Sequence, residues 1–343
     1  KLAHYLLLSS RLSNLKQWID LAVAPEAQGG DSTIESYPST TPPQETAVRA
    51  AVRPANGIPE AGVYRVHGTF TNPGAWSMRV SHQKPNMANV PAVLNRKGQV
   101  ALYGKELREL WTVPEGYKLV GVDADSIQLR IFAHLCEDER LIAAISRGRK
   151  EDKSDIHHLN KDIIGTICIS REVAKTYIYA LLLGAGIQKQ ASILDCTKHE
   201  ASQALKRILD YYPGWKKLIY GRLDEEGRRG YIECLDKRFL PLPEPRLALA
   251  GHLQSGEKII MSKATQNFNR SLSGVKDKWN LVNWIHDEVQ SEVQDIEHWG
   301  YGNLPNHVGK VQVQAIEEAG RQLDLKILLA GNYKVADNWA GTH

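Results

Sequence analysis

This sequence has few cysteines, no long apolar run, no signal peptide and no initial methionine. Only four of its 343 residues are cysteines, and none forms a CxxC pair. A zinc site is therefore not expected, whereas reduced structural thiols in a cytosol-like compartment are. No apolar run reaches the roughly 18 residues that a membrane-spanning helix needs. The chain shows no signal peptide and begins with Lys1 rather than Met, which indicates part of a longer protein that is not secreted.

A strong excess of one charge sign is also lacking. The 43 Lys and Arg residues outnumber the 39 Asp and Glu residues by four, which permits a nucleic-acid partner but does not argue for one. A hydrophobic fraction of 42% and a charged fraction of 24% are typical of a soluble globular protein with one large unit or two to three smaller ones. The function therefore has to be inferred from motifs.

Periodicity and turn residues divide the chain into helices, strands and one long irregular stretch. Residues 25–62 are rich in Pro, Gly, Ser, Thr and Gln and predict a flexible insertion. Helices are predicted over residues 6–24, from about 128, from 155 towards 165, and over 170–184, 197–210, 215–227, 247–272 and 308–329. Strands are predicted over 64–70, 77–81 and 119–122, as a short pair within 228–240, as a hairpin over 281–293, and as an edge strand after 333.

The stretch SREVAKTYIYALLLGAG, residues 170–186, is the one around which the other motifs are arranged. It predicts a helix capped by Ser170 and ended by its glycines. Four side chains recur at every fourth position and share one face: Arg171, Lys175, Tyr179 and Leu183. Two cations followed by an aromatic ring suit phosphates next to a base or sugar. An ordinary amphipathic helix with two solvated cations has the same pattern, so the choice depends on what flanks it.

Acidic residues flank this helix on both sides in the sequence. Asp123 and Asp125 follow the predicted buried strand, and Asp287 sits in the tight turn of the predicted hairpin. An acid at the end of a buried strand is costly to desolvate unless a cation meets it, although Asp125 or Ser126 could simply cap the next helix. Two such acids on adjacent strands would hold a pair of divalent cations about 3.5–4 Å apart, and Mg²⁺ suits oxygen ligands shared with phosphates. This layout predicts in-line phosphoryl or nucleotidyl transfer.

The three motifs together resemble those of a known family. DADSIQLR (residues 123–130), REVAKTYIYALLLG (171–184) and HDE (286–288) are similar to motifs A, B and C of the family A DNA polymerases, and the resemblance covers the chain from about Ser77 onwards. The tail DNWAGTH resembles that of the phage replicative branch.

The resemblance implies an α+β fold of the right-hand polymerase type, in which an antiparallel palm sheet is flanked by helices and joined to a mainly helical fingers subdomain. It divides the chain as follows: 1–24, remnant of a thumb helix; 25–62, flexible insertion; 63–136, first part of the palm; 137–246, fingers; 247–343, second part of the palm.

Residue roles are likewise implied by the resemblance. The implied metal ligands for two Mg²⁺ ions are Asp123, Asp287 and the backbone carbonyl of Ala124. The implied catalytic residues are Asp123, Asp287, Lys175 and the accessory Glu288. The implied nucleotide-binding residues are Arg171, Lys175, Tyr179, His157, Gln128 and Leu183. The implied DNA-binding residues are Arg108, Arg79, Arg246, Gln254 and His286.

Several positions depart from the family pattern. The family usually has Glu where this chain has Gln128 and Tyr where it has Leu183, a pair that helps to exclude ribonucleotides. We therefore expect the pocket around the sugar of the nucleotide to be repacked and to be neutral rather than anionic. Its discrimination between ribose and deoxyribose should be altered. Ala250 replaces an Asn that is common beside the template. Tyr179, as a phenol rather than a phenyl ring, predicts ready acceptance of dideoxynucleotides.

The function that follows from the resemblance is template-directed DNA synthesis by a two-metal mechanism, in DNA replication. The implied partners are primer–template DNA, dNTPs and a processivity factor acting through a thumb, with no membrane. The implied location is the cytoplasm of a phage-infected host cell, or an organelle.

Other functions remain open on the sequence alone. A single-subunit RNA polymerase is one alternative, which Tyr179 at the sugar position argues against. A non-catalytic nucleic-acid-binding subunit is another, which intact Asp123 and Asp287 argue against. A metal-dependent phosphohydrolase would leave the basic helix unexplained.

Overall fold

The computed structural model describes residues 2–23, 65–94, 99–149 and 151–342. The predicted insertion at 25–62 lies outside these ranges. The chain forms two compact units: Lys1–Thr71 with Ser81–Val90, and Asn72–Val80 with Pro91–His343. None of the described helices is long and apolar enough to span a bilayer.

Within the described residues, the smaller unit contains one α-helix, a 3-10 helix at Met87–Asn89 and two short strand pairs. Helix α1 spans Leu2–Leu21 and is followed by β1 at Ala22–Val23. Strand β2 (Arg65–Val66) pairs antiparallel with β1. Strand β3 (Thr69–Thr71) pairs antiparallel with β4 (Ser81–Gln83). The helix predicted over 6–24 is therefore present, but it begins and ends earlier.

The strand predicted over 77–81 is wrong for all but its last residue. The N–H groups of Gly74 and Ala75 both donate to the carbonyl of Arg79, at 2.9 and 3.0 Å. Met78 adopts a left-handed conformation, with φ of 69°. This tight loop uses the backbone groups that a ladder would need, so a strand cannot form there.

The larger unit mixes helices with an antiparallel sheet. Its helices are α2 Gly104–Glu109, α3 Ile127–Cys136, α4 Glu139–Arg147, α5 Ile156–Ile164, α6 Arg171–Leu182, α7 Ile187–Leu194, α8 Lys198–Tyr211, α9 Pro213–Leu218, α10 Asp224–Arg229, α11 Ala248–Ser271, α12 Leu304–Gln322 and α13 Trp339–Thr342. Its strands are β5 Tyr117–Ala124, β6 Tyr231–Glu233, β7 Phe239–Pro241, β8 Trp279–Ile285, β9 Glu288–Gln294, β10 Glu297–His298, β11 Gly302–Asn303 and β12 Gly331–Ala336.

Four strands form the central sheet in the order β12-β5-β9-β8, and every pairing is antiparallel. Residues 119–122 of β5 are all buried, without the alternation of a half-exposed strand, because both faces of this inner strand are covered. The predicted buried strand, hairpin and edge strand are confirmed. The hairpin turn is shorter than expected, since Glu288 already belongs to β9.

Helices α11 and α12 pack against each other, α12 lies against β5 and β12, and α11 lies against α3. One contact between helix and sheet is especially close. A Cβ atom placed on Gly309 of α12 would lie 2.3 Å from Cδ2 of Tyr333 in β12. Glycine is therefore the residue that lets α12 approach the sheet at this point.

Helix α12 ends seven residues before the predicted limit of 329. Leu323 is its C-cap, and Asp324 follows in the left-handed region with φ of 54°. The N–H of Leu325 then donates to the carbonyl of Gly320 at 3.1 Å. The apolar residues after Gln322 continue the helical pattern in sequence, but they pack from an irregular segment instead.

We predict that Gly309→Ala destabilises the protein despite the better helix propensity of alanine. Propensity alone would contribute about 1 kcal/mol of stability, whereas the clash with Tyr333 should cost roughly 1–3 kcal/mol through forced shifts. Urea titration gives the free energy of unfolding. Gly221→Ala is the matched control, because a Cβ there meets nothing within 4 Å; equal effects of the two substitutions would contradict the prediction.

Candidate active site

Two acidic residues that are distant in sequence meet at one end of the central sheet. Asp123 on β5 is directly opposite Glu288 on β9 in the strand register. The N–H of Ala124 donates to the carbonyl of Asp287 at 3.1 Å. The turn that carries Asp287 is thus hydrogen-bonded to the end of β5, next to Asp123.

The turn itself is held on both sides of Asp287. His286 adopts a left-handed conformation with φ of 57°, which is unfavourable for a residue with a side chain. The indole Nε1 of Trp284 donates to the carbonyl of His286 at 2.9 Å. With the bond from Ala124, both peptide groups around Asp287 are fixed, so its carboxylate is positioned in advance.

The electrostatics of this turn favour a bound cation. Burial raises the pKa of Asp287, and the negative charges of Glu257 and Asp123 raise it further, while Arg79 opposes them. Acids placed so close that they repel each other are a common way to bind cations. Asp123 is exposed towards solvent, so a ligand can reach it.

Helix α6 brings a hydroxyl group to these acids. Ser170 caps the helix as predicted, and its Oγ accepts from the N–H of Val173 at 3.2 Å. Burial raises the pKa of Tyr179 to about 12, together with the charges of Asp287, Asp125 and Asp123. Tyr179 is thus within electrostatic range of the acids, and its phenol is protonated at neutral pH.

Arg171, at the start of α6, is already paired. Its Nε donates to Oδ2 of Asp155 at 2.9 Å, Nη2 donates to the same oxygen, and Nη1 donates to Glu172 at 2.8 Å. Asp155 also caps α5 by accepting from the N–H of His158. Burial opposes ionisation of Asp155, but hydrogen bonds from Arg171 and His158 outweigh it and lower its pKa to about 2.

His157 lies buried on α5 near the same face of α6. Its ring centroid is 6.2 Å from that of Tyr179, and its Nδ1 has no hydrogen-bond partner among the residues that the structure describes. Burial, then the charge of Arg171, lowers the pKa of His157 to about 4, so the ring is neutral at pH 7. Lys175 is exposed, and its charge also acts on His157. Phosphate contacts of both residues stay predictions.

The pocket expected to be neutral contains a buried carboxylate. Gln128 on α3 donates from Nε2 to Oε2 of Glu257 at 2.7 Å, and Glu257 is only 1% exposed. A carboxylate from α11 thus lies next to position 128, but the ion pair with Arg79 neutralises it, so the expected neutral pocket stays a prediction. Leu183, the C-cap of α6, is 45% exposed and available to a ligand.

The residues predicted to contact DNA are found in different settings. Arg79 is held by Glu257 beside His286, in a small cleft that Lys258 and Trp284 also line. Gln254 is half-buried on α11, one turn before Glu257.

Arg246 is exposed at the start of α11 and pairs with Glu244 at 2.6 Å. Its carbonyl lies against the end of α6, where a Cβ on Gly184 would come within 3.1 Å of it. The structure therefore brings the end of the cationic helix next to the start of α11.

Arg108 and Glu288 lie in the interior of the unit. Arg108 is 5% exposed, donates from Nε to the carbonyl of Pro91 at 2.8 Å, and stacks on Trp339 at 4.2 Å. Glu288 accepts from Trp339 Nε1 and from Gln290, both at 2.6 Å. These contacts are structural, so they do not support the predicted roles of Arg108 in the minor groove and of Glu288 in catalysis.

Asp125 is occupied by a structural contact as well. Its carboxylate pairs with Arg130 at 3.1 Å, and Arg130 also donates to its carbonyl at 2.8 Å. Ser126 is the N-cap of α3 by position, without a hydrogen bond from its side chain. Asp125 therefore stabilises the start of α3.

The residues present fit a magnesium site that is completed by a substrate. No group of three or more His, Cys, Asp or Glu side chains suited to a metal occurs within the described ranges. Two carboxylates, Asp123 and Asp287, meet at the sheet end. Mg²⁺ typically takes one or two carboxylates and fills its octahedral shell with waters and phosphate oxygens.

Sequence reasoning missed three residues that organise the site: Asp155, Glu257 and Trp284. Asp155 had a detectable signal, because an Asp before a helical run is a typical N-cap. Glu257 interrupts an otherwise apolar helix face, which indicates a buried partner. Trp284 had no signal, since its bond is to a backbone carbonyl.

Comparison with known proteins places the chain in context. A family model described as DNA polymerase family A matches residues 48–341. The chain is 26% identical over 308 residues to the DNA-directed DNA polymerase of Escherichia phage T7. This match covers 81% of this chain and 41% of that protein. It is 25% identical over 301 residues to DNA polymerase I of Chloroflexus aurantiacus, covering 80% and 29%. The chain thus spans less than half the length of these relatives.

A solved structure shares the fold. It is described as the POL domain of Pol1 from M. smegmatis in complex with DNA primer-template and dNTP. The TM-score is 0.69 at 22% identity, and the match covers 84% of this chain and 49% of that one. The antiparallel sheet and its helices therefore form the right-hand polymerase fold expected from the motifs.

We predict that Asp155→Asn destabilises the protein at neutral pH. It removes charge-assisted hydrogen bonds to Arg171 and His158, each of which typically contributes about 1.5–3 kcal/mol. Because the pKa of Asp155 is lowered on folding, its stabilisation is present above about pH 4 and is lost as the pH falls towards 2. The difference in free energy of unfolding between wild type and variant should therefore shrink over that range.

Urea titrations at several pH values measure this difference. Asp162→Asn, an exposed change on the same helix α5, is the control and should have little effect at any pH. A difference that is independent of pH would contradict the ion-pair explanation.

Proposed function

The chain belongs to DNA polymerase family A, and we propose that it adds deoxynucleotides to the 3′-hydroxyl of a primer under the direction of a template. One observation carries the proposal: a backbone hydrogen bond places the turn of Asp287 next to Asp123 at the end of the sheet, within electrostatic range of Tyr179 on helix α6. The relatives named as DNA polymerases support it.

The two acids would contribute by holding metal ions next to the reacting atoms. Two Mg²⁺ ions, when bound, would lower the pKa of the primer hydroxyl and stabilise the charge of the leaving pyrophosphate. Asp123 and Asp287 would hold them, together with the carbonyl of Ala124. The fixed turn around Asp287 means that little reorganisation is needed when the substrates arrive.

Helix α6 would bind the triphosphate of the incoming nucleotide. Arg171 can do so without leaving Asp155, because its contact with Glu172 is at the surface. Glu172 is 57% exposed on its side chain, and such ion pairs contribute little. Nη1 would therefore exchange Glu172 for a phosphate, while Asp155 keeps the guanidinium in place. Lys175 would neutralise or protonate the departing pyrophosphate.

The partners and the division into subdomains are part of the proposal. Primer–template DNA would lie along residues 63–136 and 247–343 as the palm, with 137–246 as the fingers and 1–24 as thumb. The M. smegmatis structure contains DNA and dNTP, which supports this choice of partners. A replicative role in the phage branch, a processivity factor, and a cytoplasmic or organellar location stay predictions.

We predict that the protein extends a primer in the presence of Mg²⁺ and that Asp287→Ala abolishes most of this activity. Removing one preorganised electrostatic partner usually lowers kcat by about 10²–10³, and a metal ligand should be at the upper end. The free energy of unfolding without Mg²⁺ should not fall, because Asp287 is an acid buried near other acids.

The measurement is single-nucleotide primer extension on a labelled duplex. Asp295→Asn, an exposed change just after the opposite end of strand β9, is the control and should extend normally. A wild-type chain that extends nothing, or an Asp287→Ala variant as active as wild type, would refute the proposed function.

We further predict that Tyr179→Phe reduces the use of dideoxynucleotides. The protonated phenol can donate a hydrogen bond to the triphosphate when the nucleotide lacks its own 3′-hydroxyl. Hydrogen bonds to charged groups contribute about 1.5–3 kcal/mol, so the ratio of dideoxy- to deoxynucleotide incorporation should fall at least about tenfold. Competition between ddNTP and dNTP measures this ratio, and an unchanged ratio would show that the hydroxyl is not involved.

A further inference from the structure

Glu257 is a buried acid for which the proposed chemistry gives no role so far. It is 1% exposed, in the middle of helix α11. A carboxylate buried to this extent is costly unless it is paired and hydrogen-bonded. Its partners therefore show what it does.

The first partner is Arg79, from the loop that precedes the smaller unit's strand β4. Its Nε donates to Oε1 and its Nη2 donates to Oε2, both at 2.8 Å. This two-point contact fixes the plane and direction of the guanidinium as well as its position. It occupies the Nε edge of Arg79, so the N–H groups of Nη1 and the second N–H of Nη2 point away from Glu257.

The second partner is Gln128, whose Nε2 donates to Oε2 at 2.7 Å. An ionised carboxylate only accepts hydrogen bonds, so the amide of Gln128 must present its nitrogen to Glu257. Its oxygen is therefore turned away. Arg79 and Gln128 donate to the same oxygen, so Glu257 sets the orientation of both side chains at once.

These side chains lie next to the turn of Asp287. Glu257, Arg79 and His286 line one cleft with Trp284 and Lys258. The ammonium of Lys258 stacks over the Trp284 ring at 4.6 Å from its centroid. Because Glu257 balances one of the two cations that line this small cleft, one net positive charge remains, which suits a phosphate of a nucleic-acid strand.

We propose that Glu257 is a positioning residue that holds Arg79 and Gln128 in the orientations needed to bind the primer end beside Asp287. The inference rests on the proposed function. The outward N–H groups of Arg79, whose side chain is 21% exposed, provide the contact with the primer strand. Glu257 itself touches neither substrate nor metal.

A charge swap tests this role. Gln128→Glu would place a second carboxylate against Glu257, with only Arg79 to compensate both. Glu257→Gln would leave Arg79 without an anion. The double variant Gln128→Glu, Glu257→Gln restores one carboxylate and one amide. Since Arg79 and Gln128 both reach the same oxygen, the relocated carboxylate would still lie close to Arg79.

The experiment is a double-mutant cycle on primer extension, with separate KM values for primer–template and for dNTP. We expect each single variant to raise the KM for primer–template about 10–100-fold, with a smaller change in the KM for dNTP. The double variant should recover at least about tenfold of this loss, within the range found for residues in one network. Gln203→Glu, which adds the same charge on an exposed position of α8, should leave both KM values unchanged.

The outcomes separate this inference from the proposed function. If wild type extends primers but the double variant is no better than the worse single variant, Glu257 does not act through charge and orientation. If the single variants lower only the free energy of unfolding and leave the KM for primer–template unchanged, Glu257 is merely structural and the inference is wrong. If wild type extends no primer at all, the proposed function fails and the inference fails with it.

Discussion

The antiparallel register of β5 and β9, which ends in a hydrogen bond from the N–H of Ala124 to the carbonyl of Asp287, is the constraint on which the candidate active site depends. It connects an inner strand to the turn of a hairpin and so brings two acids from distant parts of the chain together. A strand slip of one residue would turn alternate side chains to the other face of the sheet. The register between β5 and β9 is therefore as important to the chemistry as the acids themselves.

The negative charge gathered at this point has to be balanced by the rest of the protein. Arg79 compensates Glu257, Arg130 compensates Asp125, and Arg171 compensates Asp155. Burial raises the pKa of Asp287, and the charges of Glu257 and Asp123 raise it further, whereas Arg79 opposes them. The protein thus neutralises the acids that organise the site and leaves Asp287 uncompensated, where a bound cation would stabilise its ionised form.

How much of this could be predicted depends on the sequence distance between partners. The cap at Ser170, the strand ending at Asp123 and the hairpin turn at Asp287 follow from local patterns, and the structure contains all three. The pairing of Gln128 with Glu257 joins positions 129 residues apart, so no local pattern reveals it. Position 128 was therefore interpreted without its tertiary partner, the ion-paired carboxylate of Glu257.

The interior positions of Arg108 and Glu288 have a similar explanation. Both pack against Trp339, which lies in the short helix α13 after the edge strand. A short motif identifies the residue type at a position. It does not show whether a segment from later in the chain packs over that residue and buries it. Burial of this kind is decided by tertiary packing, which periodicity does not record.

Helix α13 also shows how far from the acids the site can be disturbed. The indole of Trp339 donates to Glu288, and the hydroxyl of Thr342 donates to Gln290, both on the strand that follows the Asp287 turn. Proteolytic trimming of this short helix would remove both donors and open the sheet to water beneath the acids. Loss of this C-terminal helix would therefore disturb the strand that follows Asp287 and, through it, the candidate active site.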